Sequence, residues 1–561
     1  MWRDGTAGRR LIGAALAAVL ALPAWSAGLV TASPGGPAPV AAVPVAGEAA
    51  RTQPVDPGSL PALGTDAPGG LPPAVASALR AAGLPASALA AVVIRLDGPP
   101  SGGQPRASSA PGLAEAGALR LSVAAHEPRL AASLMKLVTT SAALDQLGPD
   151  WRWQTPVWLA GPVQDGVLHG SLHLAAAGDP TLSAERLWLL MQAVRAQGVR
   201  EIRGDIVVDD SAFAAEPAGD PGAFDGEPLR PYNVLPRGLV VAQQAVLLQL
   251  RPDAAAGVAR VSILPELAGV AWPEAVALDT TAPCGDWRAA LRLDLTDATQ
   301  PRLRGRYPLA CGARDWPLAW PETAPGEHAR RAIETAWRQA GGRLTGRTRA
   351  GAAPVDQPPA LRFDSPPLAE VVRAINKYSN NPMARLLFLT LGVQAAELDA
   401  QSDAARTAWR PPSRPATLAQ ARRAVQDWAV RRAGCHPGEL VLDNGSGLSR
   451  QARASAACLA GLLQAAWAGP LMPELLASLP VAGLDGTARR LGGPALAGRA
   501  HLKTGSLRDV VAAAGVVLGR SGARHAVVVL VNHEQAAAAR PVLDAVLDWA
   551  HDDVPAAPMT P

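Results

Sequence analysis

A serine and a lysine three residues apart form the first motif whose residue types could carry out chemistry. Ser133 and Lys136 stand in the segment AASLMKLVTTSAALDQLGPD. Its apolar residues recur at helical spacing and Gly148-Pro149 ends the pattern, which predicts a helix with Ser133 in its first turn. An offset of three residues places both side chains on one helix face. A neutral lysine could take the proton of the serine hydroxyl, and burial shifts a lysine pKa in the required direction.

A second polar cluster, Ser379-Asn380-Asn381, lies in the segment KYSNNPMARLL. Ser379 could relay a proton to a leaving amine, and Asn381 could hold Lys136 and an amide of the substrate. Another register, Tyr378-Ser379-Asn380, would put a tyrosine in the relay. We prefer Ser379 and Asn381, although the cluster by itself also suits a helix cap or a loop.

The third motif is Lys503-Thr504-Gly505, at the head of an apolar strand in HLKTGSL. Lys503 and Thr504 offer a cation and a hydroxyl to a substrate carboxylate. Gly505 would let a bound backbone approach the strand closely. The backbone N–H of Ser506 could form an oxyanion hole with that of Ser133. Each motif alone also has a purely structural interpretation, but the three in this order predict serine acyl transfer.

The elements that must position these motifs follow from local patterns. LPPAVASALRAAGL predicts a helix and ALAAVVIRL a strand, while short strand-like runs dominate from about Tyr232 to Leu309. Near the C-terminus, HLKTGSLRDVVAAAGVVLG and RHAVVVLVNH flank a turn at 520–523 and predict a β-hairpin. ARPVLDAVLDWAHD predicts a final helix that packs on this sheet.

The chain divides into segments of different composition. Arg3, Arg9 and Arg10 precede an apolar run and then small residues, the order typical of a secretory signal peptide. An uncleaved membrane anchor is the alternative. The predicted segments are 1–27 as the signal peptide, 28–70 as a disordered linker, 71–150 with 346–551 as the catalytic domain, 151–345 as an inserted β-rich accessory region, and 552–561 as a flexible tail.

Charge and cysteine usage narrow the functional classes. Among 561 residues, 52 Lys and Arg stand against 48 Asp and Glu, a net charge of +4 without a dense basic block, so nucleic-acid binding is not predicted. The four cysteines allow three pairings, and their two local couples favour Cys284–Cys311 and Cys435–Cys458. Their spacing and the lack of a histidine cluster predict no metal, and no nucleotide or other cofactor motif is present.

The three motifs together resemble the penicillin-binding proteins, most of all the D-Ala-D-Ala carboxypeptidase/endopeptidase group of peptidase family S13. The resemblance spans residues from about 71 to 550. It rests on these segments: ASLMKLVTTSAALDQLGPDWRW, AAAGDPTL, GDIVVDDSAF, LDNGSGLSR, LPVAGLDGTARR and LKTGSL. That family has a large insertion between its first two motifs, as here. Its second motif is usually S-D-N, whereas this chain has Asn380 in the middle position.

The resemblance implies a fold and a reaction. The fold would be α/β (α+β): an antiparallel sheet flanked by helices, as in serine β-lactamases, with a β-rich insertion. Ser133 would form an acyl-enzyme with peptidoglycan stem peptides that end in D-Ala-D-Ala, and a dead-end adduct with β-lactams. Asp443, Ser446 and Asp485 are interpreted as structural or rim residues. No cofactor is implied, membrane association would be at most peripheral, and monomer and homodimer both stay open.

Two other functions remain alternatives at this stage. A β-lactamase on the same fold would use the same Ser133–Lys136 pair but deacylate fast. An inert cell-wall-binding protein would keep the fold without the reaction. The sequence does not decide between carboxypeptidase and endopeptidase activity.

Overall fold

The computed structural model describes residues 70–97, 119–214, 219–398 and 415–553. The predicted signal peptide and all but the last residue of the predicted linker lie outside these ranges. The described residues form 24 strands and 11 helices, numbered here in chain order. Among these helices, none has the length and apolar character that a bilayer crossing requires.

A five-stranded antiparallel sheet in the order β2-β1-β24-β23-β22 lies at the centre of the part that carries the three motifs. Its strands are β1 (Leu89–Arg95), β2 (Leu119–Val123), β22 (Ala500–Leu507), β23 (Val510–Leu518) and β24 (Arg524–Asn532). The predicted turn before Arg524 is present. A second turn at Arg508-Asp509 divides the run that begins with HLKTGSL into β22 and β23, which leaves β22 at the sheet edge.

Helices cover both faces of this sheet. Alternate residues of β1 point to opposite faces of the sheet and pack in two separate hydrophobic cores. Ala90 and Val92 lie in the core that contains α2, and Ala91 and Val93 lie in the core that contains α11. A strand covered on both faces reads as a continuous apolar run, which explains the unbroken pattern of ALAAVVIR. One face carries α2 (Met135–Leu147), α6 (Leu368–Tyr378), α7 (Asn381–Leu398), α8 (Leu418–Ala433), α9 (Ala456–Ala468) and α10 (Met472–Ser478), and the other carries α1 (Pro73–Ala81) and α11 (Arg540–His551).

The stretch between the first two motifs is rich in strands, as predicted. One sheet has the order β18-β9-β7-β4-β19, a second has β17-β8-β6-β5 and a third has β15-β12-β11-β10-β16. The strands of this part are β4 (Gln154–Ala160), β5 (Val163–Gln164), β6 (Val167–Leu168), β7 (Ser171–Ala175), β8 (Glu201–Ile202), β9 (Ile206–Asp209), β10 (Ala245–Asp253), β11 (Val258–Leu264), β12 (Ala275–Asp279), β13 (Leu293–Asp294), β14 (Arg302–Leu303), β15 (Tyr307–Pro308), β16 (Arg314–Ala319), β17 (Arg343–Leu344), β18 (Thr348–Ala350) and β19 (Leu361–Asp364). Its helices are α3 (Ala184–Ala196), α4 (Trp287–Leu291) and α5 (Glu327–Gln339).

Strand pairing crosses the predicted end of the inserted region. β18 and β19 follow residue 345, yet they pair with β9 and β4. A boundary between 345 and 346 therefore separates hydrogen-bonded strands, and the sheets of this part continue to Asp364. Long-range pairing of short strands leaves no mark in local composition, so the sequence pattern does not reveal this pairing.

A small sheet includes the strand that precedes Ser133. A three-stranded sheet, β20-β21-β3, joins β20 (Leu440–Val441) and β21 (Arg453–Ala454) to β3 (Arg129–Leu130), just before Ser133.

Both predicted disulfides, Cys284–Cys311 and Cys435–Cys458, are confirmed. Asp553, in the predicted flexible tail, is buried and accepts a hydrogen bond from the backbone N–H of Ser521. Residues 554–561 lie outside the described ranges.

Candidate active site

Ser133 lies in a 3₁₀ turn, Ala132–Leu134, that leads directly into α2. Two glycines pack against this turn. A Cβ at Gly447 would lie 1.8 Å from the carbonyl oxygen of Ala132, and one at Gly505 would lie 3.0 Å from that of Ala131. Only a residue without a side chain allows so close an approach at Gly447. The backbone that approaches Gly505 closely is thus that of the turn with Ser133. Gly447 also belongs to this site, although it lies in none of the three motifs.

Lys136 is completely buried and its amine has three partners. Nζ donates hydrogen bonds to Oδ1 of Asn381 at 2.6 Å and to the carbonyl oxygen of Ser446 at 2.5 Å. Its third neighbour is Oγ of Ser133, at 3.0 Å. A neutral amine has two N–H groups and one lone pair, so two acceptors leave the lone pair for the serine hydroxyl. The arrangement therefore suits an amine that removes the proton of Ser133.

The charges around Lys136 favour this neutral form. Burial, then the positive charges of Lys503 and Arg385, hold the pKa of Lys136 well below the usual lysine range. Arg385 lies one helical turn after Asn381 on α7, is buried, and donates from Nη1 to the carbonyl oxygen of Val234 at 3.1 Å. Sequence reasoning missed Arg385, because a single arginine in an apolar helix forms no motif.

Ser446 contributes to the site through its backbone. Its side chain is buried, accepts from the N–H of Leu448 and donates to Asn444 Oδ1, so it holds the turn, as predicted for a structural residue. Its carbonyl oxygen nevertheless accepts from Lys136. The preceding carbonyl, of Gly445, accepts from Thr139 Oγ1 at 2.7 Å, so this loop is attached to α2 at two points. A carbonyl contact has no signature in residue types.

The second motif forms the junction between α6 and α7. Ser379 adopts a left-handed conformation, with φ 56° and ψ 40°, and ends α6. Its Oγ accepts a hydrogen bond from Lys503 Nζ at 2.9 Å, while Asn381 accepts from Lys136. Tyr378 is 75% exposed, which removes it from the buried cluster. The geometry favours the Ser379/Asn381 register over the tyrosine alternative.

The third motif lies on edge strand β22 and faces the first two. Lys503 is completely buried, and this burial lowers its pKa to about 7. Besides Ser379, its Nζ donates to the carbonyl oxygen of Thr504 at 2.6 Å. Thr504 Oγ1 donates to Oγ1 of Thr487 at 2.7 Å, a contact that the motifs did not predict. Ser506, the predicted oxyanion residue, is exposed on the same strand.

The structure thus brings all three clusters together around one hydroxyl. Ser133, Lys136 and Asn381 form one hydrogen-bonded group, and Ser379 with Lys503 forms the next. Asp443 and Asp485 pair with Arg422 and Lys377 at its border, in agreement with their interpretation as structural or rim residues. Within the described ranges, no group of three or more His, Cys, Asp or Glu side chains is arranged to hold a metal ion.

One further signal was present in the composition. The whole chain has three lysines, Lys136, Lys377 and Lys503, and every other basic position apart from the histidines is arginine. All three are buried, and all three lie at or beside the second motif. Lysine can lose its proton when buried, whereas arginine stays charged. The positions of the three lysines in an arginine-rich chain could therefore have indicated where the site needs an amine that can lose its proton.

Known proteins resemble this chain over most of its length. A family model described as the D-Ala-D-Ala carboxypeptidase 3 (S13) family matches residues 114–552. A D-alanyl-D-alanine carboxypeptidase of Actinomadura sp. (strain R39) is 33% identical over 424 residues, which cover 71% of this chain and 72% of that protein. The carboxypeptidase DacB of Haemophilus influenzae is 24% identical over 408 residues, or 72% of this chain and 80% of that protein.

A solved structure shares the fold. Penicillin binding protein 4 (dacB) from Haemophilus influenzae superimposes with a TM-score of 0.65 and 20% sequence identity, covering 85% of this chain and 99% of that chain. A second structure of the same protein, complexed with a β-lactam, superimposes with a TM-score of 0.60. The predicted α/β architecture, an antiparallel sheet flanked by helices with a β-rich insertion, is confirmed.

Proposed function

The chain belongs to the S13 family of D-Ala-D-Ala carboxypeptidases, and from this membership we propose that it cleaves D-Ala-D-Ala peptides of peptidoglycan through an acyl-enzyme on Ser133. The observation that carries the proposal is the environment of the Lys136 amine. Nζ lies 2.6 Å from Oδ1 of Asn381, 2.5 Å from the carbonyl oxygen of Ser446 and 3.0 Å from Oγ of Ser133, so a neutral amine that donates to the first two would direct its lone pair at Ser133. An adjacent base of this kind is what a serine hydroxyl needs to become a nucleophile.

Acylation then proceeds by proton transfers between neighbouring groups. Lys136 Nζ takes the proton of Ser133, and Oγ attacks the carbonyl carbon of the penultimate D-Ala. The oxyanion is stabilised by the backbone N–H groups of Ser133 and Ser506. The leaving amine takes a proton from the hydroxyl of Ser379, which takes one in turn from Lys503 at 2.9 Å. Water then attacks the acyl carbon and passes a proton to Lys503, while Lys136 returns its proton to Oγ as the ester bond breaks, which regenerates Ser133 and releases the peptide acid.

The third motif supports a substrate with a free terminal carboxylate. The cation of Lys503 and the hydroxyl of Thr504 would hold this carboxylate, which suits removal of a C-terminal D-Ala. A cross-linking amine that leaves from the same acyl centre would make the reaction an endopeptidase reaction. We propose that the enzyme is exported to the periplasm, and that β-lactams acylate Ser133 as covalent inhibitors.

Two assays of the purified protein test the function. A muropeptide pentapeptide is expected to lose one D-Ala, and exposure to penicillin is expected to add the mass of one intact penicillin to the peptide that contains Ser133. The first product is measured by chromatography and the second by mass spectrometry. Absence of both would support the inert cell-wall-binding alternative, and rapid turnover of penicillin without a stable adduct would support a β-lactamase.

The contact between Thr504 and Thr487 leads to a second prediction. When a carboxylate binds, Thr504 can turn its proton to it and still keep a hydrogen bond with Thr487 only if Thr487 reverses and donates to Thr504. Thr487→Val keeps the shape but removes this donor. We expect KM for a peptide with a free C-terminal carboxylate to rise about fivefold to tenfold, the value of one neutral hydrogen bond.

Matched substrates and variants define this test. A peptide with a C-terminal amide should show no such rise in KM, because it makes no carboxylate contact. Thr487→Ser, which retains the hydroxyl, should behave like the wild type. An equal loss on carboxylate and amide substrates would contradict the role of Thr487.

A further inference from the structure

Three consecutive side chains of the second motif have three separate tasks. Ser379 accepts from Lys503, and Asn381 accepts from Lys136. Between them, the Asn380 side chain hydrogen-bonds to other groups than the two lysines. Its Oδ1 accepts from the backbone N–H of Met383 at 3.0 Å, which caps the start of α7, and its Nδ2 donates to Oε1 of Gln243 at 3.0 Å. The middle residue thus links the motif to the inserted region.

The orientation of the Asn380 amide follows from its partners. The N–H of Met383 is a donor, so the atom that faces it must be the oxygen, and Nδ2 is left for Gln243. An aspartate at this position could cap the helix but would have no proton to donate. It would also place a negative charge beside Ser379 and Asn381. A pair of neutral amides makes the connection without adding a charge next to the two lysines.

Gln243 lies in an unusual turn of the inserted region. Ala242, Gln243 and Gln244 have φ values of 46°, 56° and 51°, three successive left-handed residues without a glycine. Such a run is unfavourable and persists only where the surroundings hold it. The surroundings here are hydrogen bonds from the N–H of Ala242 to Leu182 and from Gln244 Nε2 to Trp320. The turn therefore has a fixed place, and so does the Gln243 amide.

Two further contacts join the inserted region to the same end of α7. The carbonyl oxygen of Tyr232 accepts from Asn381 Nδ2 at 3.4 Å, and that of Val234 accepts from Arg385. Asn381 and Arg385 are both buried. Residues of the inserted region thus hold the first turns of α7 through hydrogen bonds. Among these contacts, the one from Gln243 is made to Asn380, the motif residue between Ser379 and Asn381.

We propose that Gln243 is a positioning residue of the active site: its hydrogen bond to Asn380 orients the turn that presents Ser379 and Asn381 to the two lysines. The inference rests on the acyl-enzyme mechanism proposed above and gives the inserted region a role in it. Gln243 acts through Asn380, so its loss should slow acylation rather than weaken substrate binding.

The test compares two single variants with their combination. Gln243→Leu removes the acceptor at similar size. Asn380→Ser keeps a hydroxyl that can cap α7 but cannot reach Gln243. Each is expected to lower the penicillin acylation rate constant about tenfold, because small displacements of reacting groups are costly, while the noncovalent dissociation constant changes less than twofold. The double variant should be no slower than the slower single variant, since both remove the same link.

A control comes from the same inserted region. Gln249 on β10 accepts from Ser262 Oγ at 3.3 Å, so Gln249→Leu makes the same chemical change at a side-chain hydrogen bond outside the motif contacts. It should acylate like the wild type. Thermal unfolding of all variants shows whether they fold. If Gln243→Leu does not fold, the rate constant of Asn380→Ser is compared with that of the wild type instead.

The outcomes separate this inference from the mechanism. If the wild type itself is not acylated by penicillin, the proposed function fails. If the wild type is acylated and folded Gln243→Leu and Asn380→Ser match its rate, the positioning role is wrong. Multiplying losses in the double variant, or a loss confined to the dissociation constant, would also overturn it.

Discussion

Ser133→Ala is expected to abolish covalent labelling by penicillin and to reduce D-Ala release by about a millionfold, the loss seen when a nucleophilic serine is removed from a working site. The reason is that the acyl group has nowhere else to form a bond. Lys136 is completely buried, and Ser379 faces Lys503 rather than the base. Labelling is measured with a fluorescent penicillin on a gel and by intact-protein mass.

A second serine, on the helix that follows the Ser133 turn, provides the matched control. Ser141 is buried on α2, and its hydroxyl has no hydrogen-bond partner among the described residues. Ser141→Ala should therefore label like the wild type and be at least as stable. If Ser133→Ala still forms a stable adduct while Ser141→Ala does not, the nucleophile has been assigned to the wrong residue.

Lys136→Met is expected to slow acylation by about 100-fold to 10,000-fold, the range for loss of a general base. Methionine fills the space of the lysine stem but has no lone pair that can take a proton. The carbonyl oxygen of Ser446 and Oδ1 of Asn381 lose their donor, and each unpaired group costs about 1–3 kcal/mol of stability. The acylation rate constant is measured together with thermal unfolding. The rate is then compared between variants whose folded fraction is known.

The pH dependence distinguishes a base from a fixed positive charge. Because the pKa of Lys136 is lowered, the neutral amine forms as pH rises through a value well below the usual lysine range, and kcat/KM for acylation should rise over the same interval. This limb should vanish in Lys136→Met. Lys136→Arg keeps the charge but cannot release its proton, and should be as slow. An active Lys136→Arg variant, or an unchanged acid limb in Lys136→Met, would rule out the role as base.

Much of the candidate site was predictable because its reactive groups are side chains in short local patterns. A serine and a lysine three residues apart on an apolar helix share one face wherever that helix lies. The lysine of the third motif begins a strand whose apolar run is equally local. The order of the three motifs then indicated the family, and two local couples of cysteines indicated the disulfides.

The other parts of the site depend on contacts between distant segments. The carbonyl of Ser446 accepts from Lys136 across 310 positions, and Gln243 meets Asn380 across 137. A backbone carbonyl is the same in every residue, and a half-buried glutamine has no special pattern around it. Strands β18 and β19 join sheets formed earlier in the chain for the same reason, because pairing partners are chosen by the folded arrangement.

The sequence alone therefore indicated which groups could react, in what order they occur and which family they resemble, since these depend on residue type and near-neighbour spacing. Only the folded arrangement shows what lowers the pKa of Lys136, which carbonyls and glycines shape the serine turn, and how the inserted region reaches the second motif. These features arise from close packing of segments far apart in the chain, and local physical chemistry does not encode which segments will meet.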